Sequence, residues 1–377
     1  MRILVVHNKY KQKGGEDTVV SQEIMAYKKL GHYVELYETS NEELNFFDVL
    51  FSVFNPISAY RFKKKIKKFN PDIVHLHNFI FKLSPSIIYV VPLKTKIFIT
   101  IHNYRFLCPS GTLFFKEKIN LESKHAIGIL KNIIRGIYQD SKLKTFLLLM
   151  IYKINEKFGA FKRIDTYIFL TDFSKKIHLE WKPQLFSNNI VKPNFLIKNS
   201  IKKNFNKEID LIYVGRFTAE KGIGDIINIL ISNKSLNIHL VGDGPMFEDI
   251  KQKCSNSSHL AIHGSKSRED TLILIKKSKY LIFPSIWYEG MPMTIIEAFS
   301  FGIPVICRNL GSMKNMVINN RTGLHYESTS DLDYILKNLH HYDYNQLCDL
   351  ALQTYRINYS KEIGLKNLKS LLNENAD

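Results

Sequence analysis

The stretch YLIFPSIWYEGMPMTIIEAFSFGIPVI, residues 280–306, decides the fold. YLIFPS is a short, uninterrupted apolar run, the pattern of a strand buried on both faces and so of a parallel sheet. WYEG is its exit loop, and Pro292 suits the first turn of a helix running through Ile296, Ala298 and Phe299. PVICR, 304–308, is again a β-branched run. Working outward, the same kind of run recurs as ILVVH (3–7), DIVHLH (72–77), KIFITIH (96–102), TYIFLT (166–171), DLIYVG (210–215), NIHLVG (237–242) and LAIHG (260–264). Helical patterns lie between them, such as TVVSQEIMAYKKLGHY (18–33), with Gly31 as its stop, and GDIINILISN (224–233). Strand alternating with helix predicts a doubly wound α/β architecture.

A chain of 377 residues exceeds what one hydrophobic core usually organises, so two domains are expected. VKPNFLIKNSIKKNFNKEID, 191–210, reads as the linker from its Pro, Asn and Lys content. The division is then a first domain over 1–195 with an insertion at about 107–163, a second over 205–360, and a C-terminal helix over 361–377 that packs back on the first.

Hydrophobic residues make up 45% and charged residues 23%, which excludes a disordered or membrane-spanning chain. The longest mid-chain apolar run, TFLLLMIY (145–152), is too short to span a bilayer, and the N-terminal apolar stretch is too short for a signal peptide core. Four cysteines without a CxxC pair read as free thiols in a reducing compartment, so a cytoplasmic location is expected. The net charge of +18 is lopsided: residues 1–200 hold 32 Lys/Arg against 16 Asp/Glu, the rest 21 against 19. Within that half, YRFKKKIKKF (60–69) sets Phe62, Ile66 and Phe69 at helical spacing among lysines, the pattern of an amphipathic segment on an anionic membrane surface; the alternative is a solvated helix face.

Ligands of open α/β sheets bind outside the carboxyl ends of strands, where helix N-termini present N–H groups to anions. GRFTAEKG, 215–222, puts Arg216 and Lys221 at such an end, two cations suited to a diphosphate. VGDGP, 241–245, is another strand ending in a glycine turn, without the GxGxxG spacing of a dinucleotide fingerprint. Glu289 falls on the exit loop of the opening stretch and Glu297 about one turn inside its helix, with the free N–H groups near Met293 and Thr294 between them. Taken singly, each charge could be an ordinary loop or first-turn residue. Together they fit the ribose, diphosphate and sugar of a nucleotide sugar. The DxD at Asp331 and Asp333 follows Ser328, Thr329 and Ser330 and reads as helix-start chemistry rather than a metal site.

The ordered series GRFTAEKG, VGDGP, PSIWYEGMPMTIIEAFSFGIPVI and RTGLHY, over about 210–326, resembles the GT4 family of retaining glycosyltransferases, whose hallmark is a Glu-x7-Glu motif. In the first half the likeness is thinner: Gly14 and Gly15 after the first strand, GHYVELY, and PDIVHLHN followed by TIHN. The resemblance implies a GT-B fold, two Rossmann-like parallel-sheet domains facing across a cleft. It implies that Arg216 and Lys221 hold the donor diphosphate, that Glu297 accepts the ribose hydroxyls and that Glu289 contacts the donor sugar. Backbone groups of Gly290, Met291, Pro292, Met293 and Thr294 would hold sugar and phosphate, Gly242 would line the donor site, Gly264 and Ser265 would meet the base, Gly15 would close over the phosphates, and His102 would lie near the reacting centre. His75 and His77 read as structural. Where relatives carry a Cys-rich loop after HNYRxxCP, INLESKH (119–125) has no cysteine, so that loop's metal or acceptor role does not transfer.

The implied reaction moves a sugar, with retention, from a nucleoside diphosphate donor, uridine being the favoured base, to a hydroxyl of a glycan or lipid-linked oligosaccharide of surface polysaccharide (O-antigen or capsule) assembly. The leaving phosphate takes the acceptor proton, and neither cofactor nor metal is expected. The place of work would be the inner face of a bacterial cytoplasmic membrane, as a peripheral protein; oligomeric state is not readable. Two alternatives remain at this stage. One is a nucleotide-sugar epimerase of the same architecture. The other is a basic nucleic-acid-binding protein, which leaves the ordered motifs unexplained because the positive charge is not interleaved with a recognition motif.

Overall fold

The structure, a computed structural model, describes residues 1–9, 14–41, 48, 50–197 and 206–373. It divides into two compact units, one of Met1–Phe115, Asn120–Ile197 and Gly364–Asp377, the other of Lys116–Ile119 and Lys198–Ile363.

The first unit holds a six-stranded parallel sheet. Its strands are β1 (Arg2–Lys9), β2 (Tyr33–Ser40), β3 (Ile73–Leu76), β4 (Lys96–Ile101), β5 (Thr166–Phe169) and β6 (Asn189–Val191), in the order β2-β1-β3-β4-β5-β6. Ile3 to Val6 of β1 are fully buried, as expected of a strand with a neighbour on each edge and cover on each face. Leu368, Leu371 and Leu372 of the helix Lys361–Asn373 join Ile3, Val5, Ile73, Phe98 and Ile168 in one core. The first helix begins at Gly15, three residues before its periodic pattern, because Gly14 is extended at the cap and its N–H donates to Asp17 Oδ2 at 2.8 Å. Gly31, at φ +84°, ends it.

The second unit repeats the plan with β7 (Ile209–Val214), β8 (Ile238–Val241), β9 (Leu260–Ile262), β10 (Ser278–Phe283), β11 (Val305–Arg308) and β12 (Gly323–Tyr326), in the order β9-β8-β7-β10-β11-β12, all parallel. In each sheet the strand order reverses beside the first strand, between β1 and β3 and between β7 and β10. Such a reversal splays the flanking loops apart at the carboxyl ends and opens a crevice for a ligand.

Two expectations are corrected. The stretch read as a linker from 191 is structural up to Ile197: Val191 ends β6, and Lys192, Asn194, Phe195, Leu196 and Ile197 are all buried. Lys192 is spent on Glu23, 169 positions away, rather than on solvent; residues 198–205 of that stretch lie outside the described residues. The basic stripe is the helix Pro56–Phe69, and its Phe62, Ile66 and Phe69 are buried in the first unit's own interior. They are therefore not an apolar face for a membrane, although Lys63, Lys64, Lys67 and Lys68 stay exposed. Exposed apolar residues include Ile57 and Tyr60 on that same helix and, on the insertion, Ile127, Leu130 and Ile134 along one side of the helix Ala126–Arg135.

Candidate functional site

The reversal point of the second sheet is where the predicted charges gather. β7 runs through Gly215 into Arg216, whose carbonyl accepts from Tyr213 Oη at 2.7 Å, and a short 3-10 turn brings in Lys221. Gly222, at φ +69°, follows, and a Cβ there would sit 2.1 Å from the Pro284 carbonyl oxygen. Only glycine lets this turn lie against the exit of β10. β10 leads into Glu289. Its Oε1 takes three donors, Lys221 Nζ, Ser285 Oγ and Trp287 Nε1, each at 2.7 Å, and its carbonyl accepts from Ser312 Oγ at 2.8 Å. The Lys221 ammonium also stands 5.2 Å from the Trp287 ring centroid. The glutamate is thus fixed through Oε1, and it holds Lys221 at the strand ends. Arg216 is different: its side chain is 51% exposed and its ionic neighbour among the described residues, Glu220, is 3.5 Å away.

The other named positions surround this pair within the same unit. Gly242, at φ +144°, would drive a Cβ to 1.8 Å from the Gly215 carbonyl oxygen, so the β8 exit packs directly on the Arg216 loop. Its N–H donates to the Gly264 carbonyl at 2.9 Å, which draws the end of β9, and Ser265 after it, to the same edge. Gly290, Met291 and Pro292 lead into the helix Met293–Ser300, capped at an extended Pro292. Met293 and Thr294 begin that helix, where N–H groups have no partner within the helix. Glu297, one turn on, is bonded by Arg268 Nη2 at 2.7 Å. Burial raises the Glu297 carboxyl above its usual range while the Arg268 guanidinium pulls it back down. Asp331 closes a capping box with Ser328 at the helix Thr329–Lys337, and Asp333 pairs with Lys337. The DxD carboxylates are committed to helix structure.

Arg268, Ser285 and Trp287 were not anticipated. Arg268 opens a helix and meets Glu297 across 29 positions, with no local signal. Trp287 and Ser285 lie inside the opening stretch, where the apolar pattern hides their donor atoms.

In the first unit, Gly15 heads its helix, and His102 follows β4. His102 Nε2 lies 2.9 Å from Nδ1 of His77, which follows β3. His75 and His77, read as structural, belong to a buried polar cluster. Glu23 Oε2 is 3.3 Å from His75 Nδ1 and 3.4 Å from His77 Nε2, and Glu23 Oε1 is ion-paired with Lys192. Burial works to raise the Glu23 carboxyl, but Lys192 and the two histidines overcome it and hold it well below the usual range. Burial pushes His75, His77 and His102 down, so the imidazoles are neutral near pH 7. Glu23, His75 and His77 offer ligand atoms within 4.8 Å of one another, a donor set of metal-site size. The Lys192 ammonium on the same carboxylate supplies a positive charge there from the protein itself.

Residues 197–340 match the family model Glycosyl transferases group 1. An uncharacterized 41.2 kDa protein in the cps region of Klebsiella pneumoniae is 23% identical over 338 residues, 85% of either chain. The UDP-Gal:alpha-D-GlcNAc-diphosphoundecaprenol alpha-1,3-galactosyltransferase of Escherichia coli is 32% identical over 102 residues, 26% of either chain. Other curated relatives are matched over 35% or 30% of their own length. Among solved structures, Anabaena Alr3699/HepE in complex with UDP superposes with a TM-score of 0.67 at 13% identity, covering 98% of this chain and 99% of that one. The chain thus has the GT-B fold of two parallel-sheet α/β domains, and residues 197–340, which hold the site built on β7 and β10, are similar to the Glycosyl transferases group 1.

Proposed function

We propose that the protein is a retaining glycosyltransferase of the GT4 type that moves a sugar from a UDP-sugar to a hydroxyl of a lipid-linked glycan. The observation that carries this reading is the joint placement of Arg216, Lys221 and the Lys221–Glu289 pair at the strand-order reversal of the second sheet, beside the open helix start at Met293. In the proposed step the bond from the sugar's anomeric carbon to the diphosphate breaks. The acceptor oxygen forms its bond on the same face, and the acceptor's proton passes to the departing phosphate oxygen. Arg216 and Lys221 stabilise the charge that grows on that phosphate, the largest electrostatic demand of the reaction. Glu289, clamped through Oε1, positions Lys221 and meets the sugar, and Glu297 accepts the ribose hydroxyls from Arg268's side of the helix. No metal is assigned, since fixed cations already stand where one would act.

Uridine is favoured by the UDP bound in the Anabaena structure and the UDP-Gal donor in the Escherichia coli relative's name, and a lipid-linked acceptor by the diphosphoundecaprenol in that same name. A surface polysaccharide role draws support from the Klebsiella cps-region relative. Docking of the first unit on an anionic inner membrane face is suggested by its charge excess and by the exposed lysines and insertion residues described above. No helix among the described residues is long and apolar enough to cross a membrane.

The test is thermal unfolding with UDP, GDP and ADP, for the wild type and Glu297→Ala. A nucleotide at 100 times its Kd adds about 2.7 kcal/mol of stability. We expect a rise with UDP that shrinks in the variant. No response to any nucleotide would overturn the donor reading, and transfer abolished reversibly by a chelator would overturn the metal-free mechanism.

A further inference from the structure

We propose that a buried relay, Lys192 to Glu23 to His77 to His102, fixes His102 as the tautomer with its hydrogen on Nε2, so that Nδ1 acts as hydrogen-bond acceptor for a substrate hydroxyl. Glu23 and His77 are then positioning residues. The inference rests on the proposed function only in taking His102 as a residue of the reaction site.

The relay follows from counting hydrogens. The Glu23 carboxylate has none, and its Oε1 is bound to Lys192 Nζ. Its Oε2 lies 3.4 Å from His77 Nε2 and 3.3 Å from His75 Nδ1, and neither Glu23 Oε2 nor His77 Nε2, both buried, makes a closer hydrogen bond among the described residues. A bare nitrogen lone pair aimed at a carboxylate oxygen, away from water, would be repulsive, so the His77 hydrogen sits on Nε2. A neutral imidazole has only one such hydrogen, which leaves His77 Nδ1 bare. That nitrogen lies 2.9 Å from His102 Nε2 and must accept from it. His102, neutral in turn, is left with a bare Nδ1. It is therefore set to receive a hydroxyl hydrogen rather than to give one. His75 has its own partners, Tyr27 Oη on Nδ1 at 3.0 Å and Thr100 Oγ1 on Nε2 at 2.8 Å. His7 is drawn toward Asp17 and Glu16.

A divalent cation seated on Glu23, His75 and His77 predicts the reverse. It would need the His77 Nε2 lone pair, put the hydrogen on His77 Nδ1, and force His102 to carry its own on Nδ1. The two arrangements differ in one observable, the protonated nitrogen of His102.

The experiment is 15N NMR of the full chain labelled at histidine, near pH 7.5, with the His102 signals identified by His102→Gln. We expect His102 protonated on Nε2 in the wild type. In Glu23→Gln, Lys192 claims the amide oxygen, the amide NH2 turns to His77 Nε2, and the relay runs backwards. His102 then carries its hydrogen on Nδ1, and kcat/KM falls at least tenfold while UDP affinity, held by the second unit, stays unchanged. His77→Asn, whose Oδ1 can accept in place of Nδ1, keeps the wild-type His102 tautomer without Glu23 and decides the matter if Glu23→Gln does not fold. A wild-type His102 protonated on Nδ1, or a folded Glu23→Gln with the tautomer unchanged, overturns the relay. Absence of UDP binding by the wild type overturns the donor reading instead, whatever the tautomer shows.

Discussion

The two units use the same pairing, a lysine on a glutamate, in opposite settings. In the second, Lys221 and Glu289 retain 18% and 8% exposure, and the neighbouring Arg216 stands half in solvent. In the first, Lys192 and Glu23 are each 1% exposed and lie 169 positions apart in sequence. A cation kept partly open at a strand end has charge left over for a ligand. A cation sealed against a carboxylate has none, and what it delivers is orientation: the pair fixes where hydrogens lie on the histidines beyond it.

The contrast is sharpest in what removal of the lysine should do. Lys192→Met leaves Glu23 buried without its cation, and we expect a loss of about 3 kcal/mol, read by denaturant unfolding, because an orphaned interior charge costs its desolvation in full. Adding Glu23→Gln to it should recover most of that loss, since a neutral pair of similar shape has no charge to strand. If Lys192→Met unfolds like the wild type, the cluster is not the closed pair described. In the second unit the effect should move from stability to rate. Arg216→Ala is expected to lower kcat/KM by roughly 10²-fold, a few kcal/mol of transition-state stabilisation, while leaving the unfolding midpoint within about 0.5 kcal/mol of the wild type. Lys221→Ala should lose a similar rate and, unlike Arg216→Ala, some stability, because the buried Glu289 then loses its cationic donor on Oε1. Full activity in Arg216→Ala would remove the phosphate clamp from the mechanism.

The same contrast explains what could be read from sequence. The strands of both sheets announce themselves as short apolar runs, and the second unit's site sits within a few residues of their ends, so strand, glycine turn and charge appear as one local pattern. Gly242 and Gly222 are legible because only glycine tolerates the backbone approach made there. The first unit's relay has no such signature. Glu23 comes from the first helix, His77 and His102 from after neighbouring strands, and Lys192 from after β6, and nothing in spacing ties them. Lys192 lay in a segment whose composition imitates a linker, since lysine and asparagine look alike whether they meet water or a buried partner. The helix Pro56–Phe69 marks a second limit. Its 3.6-residue period was plain, but period says which residues share a face and not whether that face meets protein or lipid.

Glu16 gives the smallest and most specific test, because it lies between the two settings: on the glycine-led helix start of the first unit, with 13% of its side chain exposed. Burial pushes its carboxyl up to about 8, opposed by the Arg105 guanidinium and assisted by Asp17. In the unfolded chain a glutamate ionises near 4.3. The folded protein therefore holds a proton that the unfolded chain has released, and stability falls as pH rises from about 4.5 through 8 and is level beyond. Glu16→Gln cannot ionise and escapes that decline. The variant should match the wild type near pH 5 and exceed it by on the order of 2 kcal/mol at pH 9, a figure kept modest for the partial exposure and the nearby guanidinium. Urea unfolding of both proteins at the two pH values measures the difference directly. A gap that does not widen with pH would mean that Glu16 is ionised in the folded state, paired by Arg105 as Lys221 is by Glu289, and the helix start would then belong with the open charges of the second unit rather than with the sealed cluster beside it.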